Sequence, residues 1–349
     1  MPRIVAVSPA LPEYSYPQSE ITEALAPLIT RTASQRAVLA RTHAASHIDR
    51  RHTALPLERY ADLGGFRASN EVFISVATEL LERALRTALD DSGLVASDID
   101  FVFFTSVTGI SAPSIDGLLI SRLGLRSDVK RMPSYGLGCA GGAAGIARVA
   151  DYLVGHPGEV GVLLSVELCS LTLQHDDVTM ANFVATGLFG DGAAAVIMVG
   201  DDRAEPGPRV VDTKSVYYPD SAEVIGFNVG GTGFEIVLTA EVASIIAEHF
   251  PGNAAEFLGS NGLAAADIDA WFAHPGGPRI LEAFSTALEL DADALALSYA
   301  SLAKVGNLSS AAVLHVLADG FTQDPGTRGL LFALGPGVAA EFVLLEWAW

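Results

Sequence analysis

Cysteine is nearly missing from this sequence: Cys139 and Cys169 are the only two in a chain of 349 residues. Two cysteines cannot staple a chain of this size, so its stability has to come from a core, and a reducing, cytoplasmic setting is expected. Each thiol is then either a buried hydrophobe or a reagent. Long apolar runs are missing too. The longest stretch free of Asp, Glu, Lys and Arg, Met132 to Ala147, has 16 residues and is rich in glycine, short of the roughly 20 that a membrane-spanning helix needs. The start MPRIVAVSPALPEYS lacks the basic beginning, apolar block and small-residue site of an export signal. Positive charge is scarce as well. Against 41 Asp and Glu stand 21 Lys and Arg, a net charge of −20. This balance excludes nucleic acid as a partner, because a polyanion needs a basic face. A phosphate on a small ligand would have to meet arginines concentrated locally, and these are densest among Arg31, Arg36, Arg41, Arg50 and Arg51.

Hydrophobic residues, by contrast, make up 50% of the chain, enough for a large core. The sequence also repeats itself. Gly93-Leu-Val-Ala-Ser-Asp-Ile-Asp100 matches Gly262-Leu-Ala-Ala-Ala-Asp-Ile-Asp269 at an offset of 169, each copy preceded by an amphipathic helical pattern. At an offset of 168, Gly138-Cys139-Ala-Gly-Gly matches Gly306-Asn307-Leu-Ser-Ser, and Gly161-Val-Leu-Leu-Ser-Val166 matches Gly329-Leu-Leu-Phe-Ala-Leu334. Even the first strand, Pro2-Arg-Ile-Val, has a counterpart in Pro208-Arg-Val-Val. Apolar runs of strand length alternate with helical patterns in both copies, which predicts two layered α/β halves with buried strands. The turn-rich segment Gly200–Gly207 marks the seam, giving halves of residues 1–203 and 204–349. A pseudo-twofold between them would bring equivalent helix starts together and set Cys139 opposite Asn307.

Cys139 opens an Ala/Gly-rich helix, an end whose dipole favours thiolate. Cys169 reads as an ordinary buried cysteine. The G-x-G-x-x-G at Gly136, Gly138 and Gly141 lacks an acidic residue at the end of the next strand, so a dinucleotide site is not expected. His274 ends a short apolar strand and is followed by Pro-Gly-Gly-Pro278, a rigid turn. A cysteine, a histidine and an asparagine at three strand-to-helix junctions supply a nucleophile, a base and an amide donor for an oxyanion. His43 and His47, with His52 nearby, lack the carboxylate or thiol that would complete a metal site, and read as a solvated helix face.

At these residues the sequence resembles the type III polyketide synthases, relatives of chalcone synthase in the thiolase superfamily. The resemblance runs nearly the length of the chain through Gly138-Cys139-Ala-Gly-Gly, Leu188-Phe189-Gly-Asp-Gly, His274-Pro-Gly-Gly-Pro278, Gly306-Asn307-Leu-Ser-Ser and Gly335-Pro-Gly337. It implies the thiolase-like αβαβα fold in a homodimer and a catalytic triad of Cys139, His274 and Asn307. Phe189 and Phe234 would be gatekeepers, with Val107, Ala112, Thr172, Ile225, Gly226, Ser309, Gly335 and Pro336 around an internal cavity. Of the basic positions that hold the CoA phosphates in plant members only Arg41 is matched, with Val38 and Ala45 at the others. Acyl-CoA and malonyl-CoA are the implied substrates, with no metal or further cofactor. The motif set, including Thr105-Ser-Val-Thr-Gly109 and Glu167-Leu-Cys-Ser-Leu-Thr172, looks most like the bacterial alkylresorcinol and alkylpyrone synthases. That likeness and the small cavity residues lead to the expectation of a medium to long fatty acyl starter. A single-condensation enzyme like ketoacyl synthase III, or a catalytically silent acyl-binding protein, is the alternative.

Overall fold

The computed structural model describes residues 1–348. Its strands are β1 (Arg3–Ala10), β2 (Tyr14–Pro17), β3 (Arg50–Thr53), β4 (Ile99–Thr105), β5 (Lys130–Ser134), β6 (Val160–Leu168) and β7 (Asp191–Val199) in the first half. The second half has β8 (Arg209–Tyr217), β9 (Ile225–Gly230), β10 (Gly233–Leu238), β11 (Ala270–Ala273), β12 (Arg328–Gly335) and β13 (Ala339–Glu346). The helices are α1 (Gln18–Ile29), α2 (Ala33–Ala44), α3 (Phe66–Ser92), α4 (Ile115–Leu123), α5 (Gly141–Gly155) and α6 (Met180–Leu188). Beyond the seam follow α7 (Val242–Ser260), α8 (Pro278–Ala287), α9 (Ala296–Val305) and α10 (Ala312–Asp319).

Nine strands form one mixed sheet in the order β11-β12-β13-β8-β1-β7-β6-β4-β5. Its midline is where the halves meet: Ile4 N–H donates to Pro208 O at 3.0 Å and Val210 N–H to Pro2 O at 2.9 Å, a reciprocal pair between the two repeated starts. Outward from that line β7 corresponds to β13, β6 to β12 and β4 to β11. The repeat extends to single hydrogen bonds. Asp100 accepts from Val160 N–H and Asp269 from Arg328 N–H, both at 2.9 Å. Gly93 and Gly262 both close their helical segments at φ +71°, where a side chain would be strained.

Alternation along the strands builds the layers. On β7, Ala193, Ala195, Ile197 and Val199 pack with α3, whereas Ala194, Val196 and Met198 face the central helices. On β12, Leu330, Phe332 and Leu334 join the core under α7 and α8, and Leu331 and Ala333 turn to the centre. α5 and α10 therefore lie between the two halves of the sheet, with α3 outside one half and α7 and α8 outside the other, the αβαβα arrangement. The central layer is tight. A Cβ on Gly142 would stand 2.4 Å from Ser310 O, and one on Gly145 would stand 2.4 Å from Leu163 Cδ1. No helix among the described residues is long and apolar enough to cross a membrane.

Candidate active site

Cys139 sits in a single 3-10 turn, Gly138–Ala140, directly ahead of α5. Gly138 takes φ +49°, and a Cβ there would strike Pro336 at 2.4 Å, so the turn needs glycine twice over. Gly335 is a close-approach position behind this turn: its Cβ would lie 2.5 Å from Leu137 O and 2.7 Å from Ala140. Facing it from the other half, Ser309–Ala311 forms the equivalent turn ahead of α10. Cys139 Sγ donates to Ser309 Oγ at 3.7 Å. The pseudo-twofold thus brings Cys139 and the Asn307 segment face to face.

Asn307 is fixed at both ends of its amide. Its Oδ1 accepts from Ser309 N–H at 2.8 Å, and its Nδ2 donates to Gly276 O at 3.3 Å, in the turn that follows His274. His274 directly follows β11, its N–H donating to Phe332 O at 2.9 Å and its carbonyl accepting from Gly276 N–H at 2.9 Å. Both side chains are buried, at 3% and 2% exposure for His274 and Asn307. His274 Nδ1 has no hydrogen-bond partner among the described residues.

Burial works against the thiolate that the helix dipole favours. Burial pushes the Cys139 thiol up to about 12, and the neighbouring Glu167 carboxylate adds to the rise. Hydrogen bonds with Ser309 and Asn307 favour the thiolate without offsetting burial. Burial alone pushes His274 down to about 3. Burial thus pushes both groups toward their neutral forms.

Glu167, not singled out from the sequence, lies under the same turn. It accepts from Thr108 Oγ1 at 2.8 Å, Val107 N–H at 3.1 Å, Ser106 Oγ at 3.3 Å, Ser309 Oγ at 3.4 Å and Ser310 Oγ at 2.5 Å. Burial outweighs these bonds and raises its carboxyl to about 6. The available signal was a carboxylate inside an otherwise uncharged strand, Val160–Leu168, buried along its length.

Cys139, Phe189, Phe234, Thr172, Ile225, Gly226, Ser309 and Pro336 line one cavity together. His274, Asn307, Val107, Ala112, Gly335 and Arg41 lie outside that lining. Val107 is buried beside Glu167, Ala112 is exposed on the loop before α4, and Arg41 is exposed on the last turn of α2. Cys169, read as a plain core residue, also reaches the cavity wall, together with Arg51, Tyr60 and Ser170. His43 is not on a solvated face. It is 1% exposed, wedged between Thr22 Oγ1 at 2.8 Å and Thr186 Oγ1 at 3.3 Å.

The two duplicated halves each have a match, and together these span nearly the whole chain. Residues 2–203 fit the model of the N-terminal domain of chalcone and stilbene synthases, and residues 209–347 fit that of the C-terminal domain. The chain belongs to this family. It is a type III polyketide synthase, an acyltransferase-type condensing enzyme of thiolase fold. A 1,3,6,8-tetrahydroxynaphthalene synthase of Streptomyces peucetius subsp. caesius is 50% identical over 350 residues, covering 99% of this chain and 93% of that protein. A phloroglucinol synthase of Pseudomonas fluorescens is 32% identical over 347 residues, 97% of this chain and 98% of that one. Among solved structures, the 1,3,6,8-tetrahydroxynaphthalene synthase of Streptomyces coelicolor A3(2) superposes with a TM-score of 0.93 at 33% identity, covering 99% of both chains.

Proposed function

We propose that this polyketide synthase primes Cys139 with malonyl-CoA and extends it with further malonyl-CoA to a hydroxylated aromatic product without an alkyl tail. The observation that carries this reading is the cavity wall. Its polar side chains are mostly satisfied within the protein, Thr53 by Leu55 O, Thr108 by Glu167, Ser170 by Asp191, Thr172 by Cys169 O and Thr186 by Asn182 O, but Arg51 brings a buried guanidinium whose Nη2 has no partner among the described residues. An oxygen-bearing chain can supply that one donor with an acceptor, whereas an alkyl tail would leave it unpaired. The 50% identical relative is named for a ring system with no side chain, whose ten carbons are what five two-carbon units supply.

In the reaction Cys139 passes its proton to His274 as Sγ attacks the thioester carbonyl; the CoA thiolate leaves and takes the proton. The polar transition state, not the resting enzyme, carries the charge separation. Malonyl-CoA then loses CO2, and the electron pair moves into an enolate whose oxygen His274 and Asn307 Nδ2 stabilise. A neutral imidazole suits that task, since it retains an N–H to donate. The enolate carbon attacks the Cys139 thioester, expelling the thiolate, and the lengthened chain returns to Cys139 for the next round. Phe189 and Phe234 separate the CoA entrance from the cavity, and Arg41 holds a CoA phosphate.

A fatty acyl starter is the second reading. The aliphatic patch Ile21, Leu25, Leu57 and Leu173 favours it, because these residues reach the cavity from the small core around α1. Mass spectrometry of products decides between them. An aromatic polyketide from malonyl-CoA as sole substrate supports the first; product formed only when a fatty acyl-CoA is supplied supports the second and refutes the first.

The active form is a homodimer in this reading. Edge strand β5 is exposed along most of its length, and Met132, Tyr135 and Ile110 around it are about half exposed, an apolar edge that a second copy would cover. Light scattering that returns the monomer mass would refute this.

A further inference from the structure

Arg51 is a cation on the cavity wall, 4% exposed on β3. Two of its three guanidinium nitrogens are committed. Nε donates to Gln18 Oε1 at 2.8 Å and Nη1 to Phe189 O at 2.5 Å. Nη2 is buried and has no partner among the described residues. Asp191 does not serve it. That carboxylate accepts from Ser170 N–H at 2.7 Å, from Ala54 N–H at 2.6 Å and from Ser170 Oγ, and no ion pair joins it to Arg51. A buried charged N–H without an acceptor is costly, and a site keeps one where a ligand supplies the missing oxygen.

We propose that Arg51 Nη2 anchors a carboxylate at the free end of the chain growing on Cys139. The proposal rests on malonyl priming: a malonyl starter leaves a carboxylate at the far end of the chain, which departs as CO2 when the full-length chain closes to its ten-carbon ring system, whereas an alkyl starter leaves a methyl group. The two fixed contacts hold the guanidinium plane still, so little ordering is needed for Nη2 to meet an acceptor. Thr53, two residues along β3 and also buried, and the hydroxyls of Tyr60 and Ser170 line the same wall. Burial lowers Arg51 only to about 10, so it stays charged near neutral pH. Anchoring the free end opposes the curling by which an enol oxygen reaches the thioester carbonyl and releases a short lactone, so the chain reaches full length.

Two variants and one substrate comparison test this. Arg51→Gln removes the charge; Thr53→Asp keeps Arg51 with its two contacts and offers Nη2 an internal acceptor. Products are measured from malonyl-CoA alone and from hexanoyl-CoA plus malonyl-CoA, with thermal unfolding as the folding control. In either folded variant, full-length malonyl-primed product should fall at least about tenfold relative to hexanoyl-primed product, with short lactones in its place. A purely structural role would lower both alike, so an unchanged ratio overturns the proposal. The wild-type enzyme gives a reading that needs no variant: it should accept glutaryl-CoA about tenfold better than its monomethyl ester, and a preference below about twofold also overturns the anchor. Wild-type enzyme that makes nothing from malonyl-CoA alone refutes malonyl priming itself; enzyme that does, but ignores these changes, refutes only the role of Arg51.

Discussion

Phe189 and Asn307, one from each half of the chain, are joined main chain to main chain. Asn307 N–H donates to Leu188 O at 2.9 Å and Gly190 N–H to Asn307 O at 2.9 Å, a parallel two-residue bridge. Arg51 holds Phe189 O beside it, and Gly306 packs on the arginine stem, where a Cβ would come within 3.0 Å of Cδ. The aromatic ring on the cavity wall and the amide proposed to hold the enolate therefore share one ladder, so a change at either should be felt by the other.

Cys139→Ala should abolish polyketide formation while slow decarboxylation of malonyl-CoA persists, since His274 and Asn307 do not depend on the sulfur. The check is CO2 release alongside product analysis. Full-length product from this variant would remove Cys139 as the nucleophile.

Asn307→Ala should depress decarboxylation by on the order of 10²–10³ and acyl loading much less, because the enolate is the charge that the amide meets. Single-turnover loading and CO2 release separate the two. Equal losses would mean that the change acts through the freed Ser309 and Gly276 contacts instead.

Resting Cys139 should be slow to alkylate. With the thiol at about 12 and the imidazole at about 3, both are neutral at pH 7, so the thiolate fraction grows about tenfold for each pH unit. Iodoacetamide labelling in a Cys169→Ser background should keep accelerating beyond pH 9. A plateau reached below pH 7 would instead reveal a preformed thiolate–imidazolium pair.

Acid should destabilise the fold through its buried histidines. His43, His274 and His315 are pushed down to about 3, 3 and 4 by burial, against 6.5 when unfolded. The unfolded chain then binds these protons first, so their contribution is fully present above pH 6.5 and is lost as pH falls. Glu167 and Asp191, raised to about 6, act in reverse: their contribution is present at low pH and lost as pH rises through 6, which offsets part of the histidine effect in the overlap. Denaturant unfolding should show lower stability at pH 5.5 than at pH 7. His315→Gln, at a site whose Nε2 meets only Ala193 O at 3.0 Å, should flatten that slope by at most about 1.4 kcal/mol per pH unit; an unaltered slope would show that His315 titrates normally in the folded protein.

Arg41→Ala should raise the KM for CoA thioesters and leave that for a short pantetheine thioester nearly unchanged, because a phosphate contact acts only on the nucleotide end. The effect should fade with salt, since Arg41 is exposed. Parallel changes for both substrates would place Arg41 away from CoA.

The apolar runs Val160–Val166 and Ala193–Val199 were legible because burial on both faces leaves a continuous signature, and the strands extend beyond them to Leu168 and back to Asp191. The duplication made Cys139 and Asn307 neighbours before any coordinates. Short strands escaped: β3, Arg-Arg-His-Thr, has no apolar pattern, so Arg51, counted from the sequence in the arginine cluster that could meet a phosphate, gave no sign of its burial, which depends on partners far along the chain at Phe189 and Gly306. His43 failed likewise, because the helix face that looks polar by itself is covered by α6 through Thr186 and Gly187. The character of the cavity wall is a property of assembly, drawn from α1, β3, α6 and the β9–β10 hairpin at once, and no local pattern announces it.

The reciprocal bonds at the sheet midline join segments that the chain links only through the loop around Asp201 and Asp202, both exposed. Severing the backbone there would sacrifice none of the contacts between the halves. Each fragment alone would lay bare the face of α5 or α10 that the other covers, so the pair, produced as two polypeptides, should assemble on mixing and behave as an obligate heterodimer hidden inside one gene product.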